Sequence, residues 1–226
     1  MEDLLQKLKI EVNENIYLKD PFSSDLGKDI IASSIILIKE VGIEHFTFKK
    51  LSEKIGSTES AIYRYFDNKH RLLFFLVSWY WGFLEHNLVF ATANLDSPYK
   101  RLEIAIKLIV KGPLVKSNDY MNLILLQKLV VDESLKIFMT KEVDEEYKNG
   151  FFSSYSKMME RITSIISEIN PNYTFPKTLV STLIQSSILQ AYYTHHLPAY
   201  NEFGGSDEVK LEFFMNLVFN ALKNEN

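Results

Sequence analysis

Apolar residues return every three or four positions along most of the chain, the period of a helix with one buried face. The spacing predicts a helix over residues 26–41, carried by Leu26, Ile30, Leu37 and Val41 and ended by Gly42. Phe48, Leu51 and Ile55 mark a short helix, with Thr47 ahead of it as a hydroxyl cap and Gly56 behind it as a left-handed exit. Ser57 and Thr58 offer the next N-cap. Glu59 puts an anion in the positive first turn, and Ile62 and Phe66 form the apolar pair of a second short helix. Asn68 caps a long third helix over 69–91, apolar on several sides, which must be surrounded by other elements. Further helices are expected over 99–110, 120–131, 143–169, 176–196 and 207–222, with a short turn or helix at 134–140. Gly112-Pro113, Asn170-Pro171, Pro198 and Gly204-Gly205 punctuate them. No strand-period alternation, internal repeat or low-complexity tract stands out. The fold class is all-α.

The first 24 residues precede this pattern. Leu4, Leu5, Leu8 and Val12 suggest an amphipathic turn, and 13–24 reads as a linker within a partly ordered extension. Residues 25–68 then form a three-helix module, and 69–226 a larger helical body. Helix, glycine turn, short helix is the layout in which the second helix enters the major groove of DNA.

Composition narrows the chemistry. At 226 residues with 46% apolar content, the chain can bury a substantial core. It has no cysteine, so disulfides, thiolate nucleophiles and Cys-bound zinc are excluded. The N-terminus is not a secretory leader, and the most apolar run, 72–84, falls short of the roughly 20 residues a membrane helix needs. A cytoplasmic protein without membrane attachment is expected. Net charge is −4, yet residues 46–73 carry six basic against three acidic residues, which leaves −7 on the remainder. A locally basic motif on an acidic body suits a protein that meets DNA at one end.

Thr47, Gly56, Ser57, the run Ile62-Tyr63-Arg64-Tyr65-Phe66, and Lys69 two residues after Asp67 resemble the DNA-binding signature of TetR-type one-component regulators. Glu59-Ser60-Ala61 stands where that family often has a glycine and another small residue. The resemblance implies backbone-phosphate contacts from Thr47, Tyr63 and Lys69, with Lys49 beside them on the first motif helix. Base reading falls to Thr58, Glu59, Ser60 and Arg64. Glu59 is able to accept from cytosine N4, and Arg64 to donate to guanine or phosphate. It also implies a homodimer paired through the last two helices, a pseudo-palindromic operator, and repression relieved by a small apolar effector. Small residues Ser181, Ser186, Ser187 and Ala191, and the stripe Leu211, Phe214, Met215, Val218 and Leu222, are compatible with such pairing.

No catalytic constellation, P-loop or dinucleotide fingerprint is present, so no enzyme activity and no cofactor are expected. His195-His196 is the one pair that invites a metal; adjacent helical residues diverge by about 100°, so no metal is expected there either. Trp79, Trp81, Phe83, Phe151, Phe152, Tyr155, Met158, Met159, Tyr192 and Tyr193 line either an apolar pocket or plain core. The competing readings are an all-α carrier or enzyme for apolar ligands, and a helical interaction protein without DNA binding.

Overall fold

The computed structural model describes residue 5 and residues 7–223; Leu4 of the expected N-terminal turn lies outside them. Eleven helices of four or more residues follow one another from Asp25 onward, and no strand forms among the described residues. They are α1 (Asp25–His45), α2 (Phe48–Ile55), α3 (Glu59–Tyr63), α4 (Lys69–Thr92), α5 (Pro98–Lys111), α6 (Leu123–Glu133), α7 (Leu135–Phe138), α8 (Val143–Lys148), α9 (Ser153–Ile169), α10 (Pro176–His196) and α11 (Asp207–Lys223). The chain divides into two compact units. One comprises Met1–Phe83 with Val115–Tyr155, the other Leu84–Leu114 with Ser156–Asn226.

In the first unit, α1 is buried along Ile30, Ile31, Ser34, Ile35 and Ile38, and packs on α2, α6 and the turn at Pro21–Ser23. Gly42, at φ 74° and ψ 157°, breaks α1 before its last turn. The start of α4 contributes Leu72, Leu73, Phe75 and Leu76, each no more than 2% exposed. Phe75 gathers three rings around itself: Tyr17, Phe22 and Phe66, with centroids 5.5–5.9 Å away.

Residues 13–24, expected to be a linker, are folded into this core. Asn13 and Asp20 cap two 3-10 turns, Glu14–Ile16 and Pro21–Ser23, whose Ile16, Pro21 and Phe22 are buried. The Asn13 amide also donates to the carbonyls of Asn149 and Gly150 at 3.1 and 2.9 Å. Two glycines make room for the chain ahead of α1. A Cβ at Gly27 would lie 2.1 Å from the Pro21 carbonyl oxygen, and one at Gly82 would lie 2.6 Å from Ile10 Cγ2.

The single helix expected over 143–169 is two helices. Gly150 adopts φ 76°. The N–H of Phe151 then bonds the Glu146 carbonyl and that of Gly150 the Tyr147 carbonyl, both at 3.0 Å, closing α8 with a Schellman motif.

In the second unit, α5 packs against both α10 and α11, which also meet each other. Leu102, Ala105, Ile106, Val180, Ile184, Phe214 and Val218 are its fully buried centre. The Ser187 hydroxyl, 3% exposed, donates to the Ile109 carbonyl at 3.4 Å, a close approach that a small residue permits.

Candidate nucleic-acid interface

The α2–α3 pair is built from local capping. The Thr47 hydroxyl accepts from the Lys50 N–H at 3.2 Å and opens α2. Gly56, at φ 63° and ψ 37°, closes it. Ser57 N–H bonds the Ser52 carbonyl at 2.9 Å and Gly56 N–H the Glu53 carbonyl at 3.5 Å, again a Schellman closure. Thr58 then accepts from the Ala61 N–H at 3.2 Å and opens α3, and its hydroxyl also lies 3.0 Å from that of Ser60. Asn68 opens α4 by accepting from the Arg71 N–H at 2.9 Å.

Seven of the eight residues expected at the interface are exposed: Thr47, Lys49, Thr58, Glu59, Ser60, Tyr63 and Arg64. Beneath them lie Phe48, Leu51, Ile62 and Phe66, each at most 5% exposed. The Tyr63 ring stands edge-on to Phe48, centroids 4.9 Å apart, so the phenol is propped between the two helices with 48% of the residue still open. Glu59 stands in the first turn of α3 and Arg64 at its C-cap.

Lys69, the eighth, is half-buried. Its ammonium donates to the carbonyls of Ile43 and Glu44, each at 2.9 Å, so two of its three N–H groups hold the end of α1. Lys50 is tied in the same way, donating to the His45 carbonyl at 2.9 Å. Tyr65, the second tyrosine of the motif, faces inward. Its hydroxyl lies 2.7 Å from that of Ser24, and its carbonyl accepts from the Leu18 N–H at 2.8 Å. The Ser24 hydrogen bond holds the phenol below its ordinary pKa, against the opposing effect of burial, and Lys19 adds to the lowering.

Trp79, Trp81, Phe83, Phe151, Phe152 and Tyr155, which offered either pocket or core, each pack against another ring, while Tyr192 lies against His196 and Tyr193 against Tyr200. Trp79 stacks on Phe83, Trp81 meets Tyr155 edge-on, and Phe74 lies edge-on to both Phe151 and Phe152. Burial drives the Tyr80 phenol far above its ordinary pKa. The second unit carries an open groove of about 700 Å³ with Glu85, Arg101, Lys157, Glu160, Arg161 and Glu168 on its walls. Arg161 donates to the buried Glu85 carboxylate at 2.7 Å, and Arg101 to Glu168 at 3.2 Å. With three cations against three anions, the groove selects against neither sign of charge. His195 and His196 lie exposed at the end of α10, and no cluster of three metal-ligating side chains occurs among the described residues. No described helix is long and apolar enough to cross a membrane.

A capped helix, a left-handed glycine, and a second capped helix with a polar outer face define a helix-turn-helix DNA-binding module. Residues 30–74 match the family described as bacterial regulatory proteins, tetR family. The likeness to that family is carried by this module.

Among solved structures, the fatty acid degradation regulator FadR from Bacillus halodurans is 15% identical with a TM-score of 0.61, covering 88% of this chain and 98% of its own. AibR, in complex with isovaleryl coenzyme A and operator DNA, is 13% identical with a TM-score of 0.55, covering 83% of this chain and 95% of its own. The superantigen PfiT, 12% identical, reaches a TM-score of 0.58 over 88% of this chain and 97% of its own. At such identities the likeness shows the fold alone. No curated protein matches in sequence.

Proposed function

We propose that the chain is a homodimeric transcriptional repressor of the cytoplasm. It binds a pseudo-palindromic operator through two copies of α2–α3 and is released by a small apolar effector held in residues 69–226. The observation that carries the reading is the exposed polar face of α2–α3, built by two threonine caps and a Schellman glycine on an otherwise acidic chain. A module that only packed against other helices would have no use for seven exposed polar and tyrosyl groups on a rigid apolar base.

By chemical type, Thr47, Lys49, Tyr63 and the remaining N–H of Lys69 serve phosphates, while Thr58, Glu59, Ser60 and Arg64 serve base edges. AibR binds an acyl thioester of coenzyme A as well as operator DNA, and FadR regulates fatty acid degradation. Those two neighbours support an acyl-type effector, which the charge-balanced groove of the second unit would not repel. PfiT, alike in fold, is described as a superantigen, so fold alone does not carry the function and the reading rests on the motif.

Selection of genomic DNA fragments on the purified protein, at two salt concentrations, tests the reading. One short inverted repeat is expected, with affinity falling steeply as salt rises because each neutralised phosphate releases counterions. Tyr63→Phe removes one hydroxyl and leaves the ring on Phe48, so it should weaken that binding about tenfold, roughly 1.4 kcal/mol, with thermal stability unchanged. Fragments recovered at background level, with and without cell extract, would rule out the repressor.

A further inference from the structure

The residue after the α1 kink is held from both sides by charged side chains of different elements. At Gly42 the helix breaks, and the N–H of Ile43 leaves the regular ladder in a buried position. Such a group needs an acceptor. Glu133, at the end of α6, supplies it: Oε1 lies 3.1 Å from the Ile43 nitrogen. The Ile43 carbonyl takes the Lys69 ammonium from α4 at 2.9 Å. The same ammonium reaches the Glu44 carbonyl, and Lys136 joins the two carboxylates, 2.6 Å from Glu133 Oε2 and 3.3 Å from Glu44 Oε1. Lys39 and Asp132 pair alongside.

Glu133 is only 6% exposed, so its charge is held by this network rather than by water. Burial alone would lower the Lys136 pKa. The carboxylates of Glu133 and Glu44 outweigh it, and the ammonium is raised above its ordinary value. Four residues beyond Ile43 stands Thr47, the cap of α2.

We propose that Glu133 is a positioning residue for DNA recognition: by fixing the Ile43 peptide against Lys69, it sets the direction in which α2 and α3 leave α1. The inference rests on the DNA-binding reading, but it is testable without DNA. A group that merely stabilised the fold would, on removal, lower amide protection everywhere. A positioning group would lower it from Ile43 through Arg64 and leave the helices of the second unit unchanged.

Amide hydrogen exchange on the full-length protein distinguishes these. For Glu133→Ala, at least a tenfold loss of protection is expected at Ile43 and across α2–α3, with Leu102, Ile106 and Val218 within twofold of the wild type. Glu133→Gln keeps an acceptor oxygen in place and should retain most of the Ile43 protection. If the Ala variant does not fold, Glu133→Asp keeps the charge but shortens the reach, and the same local loss should follow. Unchanged protection at Ile43, or an equal loss in both units, would overturn the proposal. Where the wild type binds a selected fragment, Glu133→Ala should weaken it about tenfold and Glu133→Gln by less than threefold. A wild type that binds no DNA defeats the repressor reading, whereas the exchange pattern decides the positioning role on its own.

Discussion

The hairpin α2–α3 and the pair α10–α11 are both two-helix units, and they differ in what they leave outside. In α2–α3 the buried side is Phe48, Leu51, Ile62 and Phe66, and the outer face is hydroxyl, carboxylate, guanidinium and phenol. In α11 the buried side is Phe214, Val218 and Leu222, yet Val209, Phe213 and Leu217 remain 45%, 47% and 39% exposed. Those three recur at i, i+4 and i+8, so they form one stripe along the helix. A polar outer face over an apolar base is finished in the monomer and is ready for a charged ligand such as DNA. An apolar outer stripe over an apolar base is unfinished, and a second copy of the chain completes it on the homodimer reading.

The sharpest way to break the comparison is to remove the base of one and the outer face of the other. Phe66 is wholly buried and its ring lies 5.5 Å from that of Phe75. Phe66→Ala leaves a cavity and loses the transfer energy of the ring, a cost of about 3–5 kcal/mol. The urea midpoint should fall accordingly, and DNA binding should go with the fold. Retention of the wild-type midpoint would mean that the motif does not share the core of the first unit.

Leu217→Glu acts on the other hairpin. Its side chain is exposed in the monomer, so the substitution should change protomer stability by no more than about 0.5 kcal/mol. In the dimer it would bury a charge in an apolar stripe. Sedimentation at micromolar concentration should show monomers, and operator affinity should drop about 100-fold, roughly 2.7 kcal/mol, as two half-sites no longer act together. A variant that stays dimeric would move the interface away from α11.

The two hairpins were also unequally legible. The motif could be read from the chain because its determinants are local: a hydroxyl three residues before the N–H it caps, and a glycine one residue past a helix end. On α11 the apolar period picked out Phe214, Val218 and Leu222 as a face for pairing, but these close the core of the protomer, and the exposed stripe Val209, Phe213 and Leu217 lies on another side of the helix. The N-terminal segment could not be read, since its partners are distant. Leu18 pairs with Tyr65, Asn13 with Asn149 and Gly150, and Ile10 fills the space left at Gly82. Each contact spans tens of residues or more, and neither Asn13 nor Gly82 announces it. Gly150 was read through for a different reason. Phe151, Phe152 and Tyr155 keep the helical apolar spacing across the break, so the pattern hides a left-handed residue of the kind that Gly56, followed by Ser57 and Thr58, makes plain. At the site, seven of the eight expected residues are exposed. The grip of Lys69 on the Ile43 carbonyl, and of Glu133 on the Ile43 N–H, spans 26 and 90 residues, which no local spacing announces.

The smallest effect sharpens the comparison inside the motif itself. Thr47 and Thr58 make the same bond at the same length, 3.2 Å, but Thr47 opens an eight-residue helix and Thr58 a five-residue one. A cap typically contributes about 1 kcal/mol. In α2 that loss is shared with Phe48, Leu51 and Ser52, which stay buried whether or not the first turn frays. In α3 only Ile62 is buried, so the first turn has little else to hold it. Thr47→Ala and Thr58→Ala should therefore each lower the melting temperature by about 2–4 °C, as about 1 kcal/mol does for a chain of this size. Amide protection at Ala61 should collapse in the Thr58 variant more than protection at Lys50 does in the Thr47 variant. Thr58→Ser, which keeps the acceptor, should restore Ala61. Equal losses at the two caps would mean that α3 is held by its packing against α2 rather than by its own first turn, and the outer polar face would then owe its order to the apolar base alone.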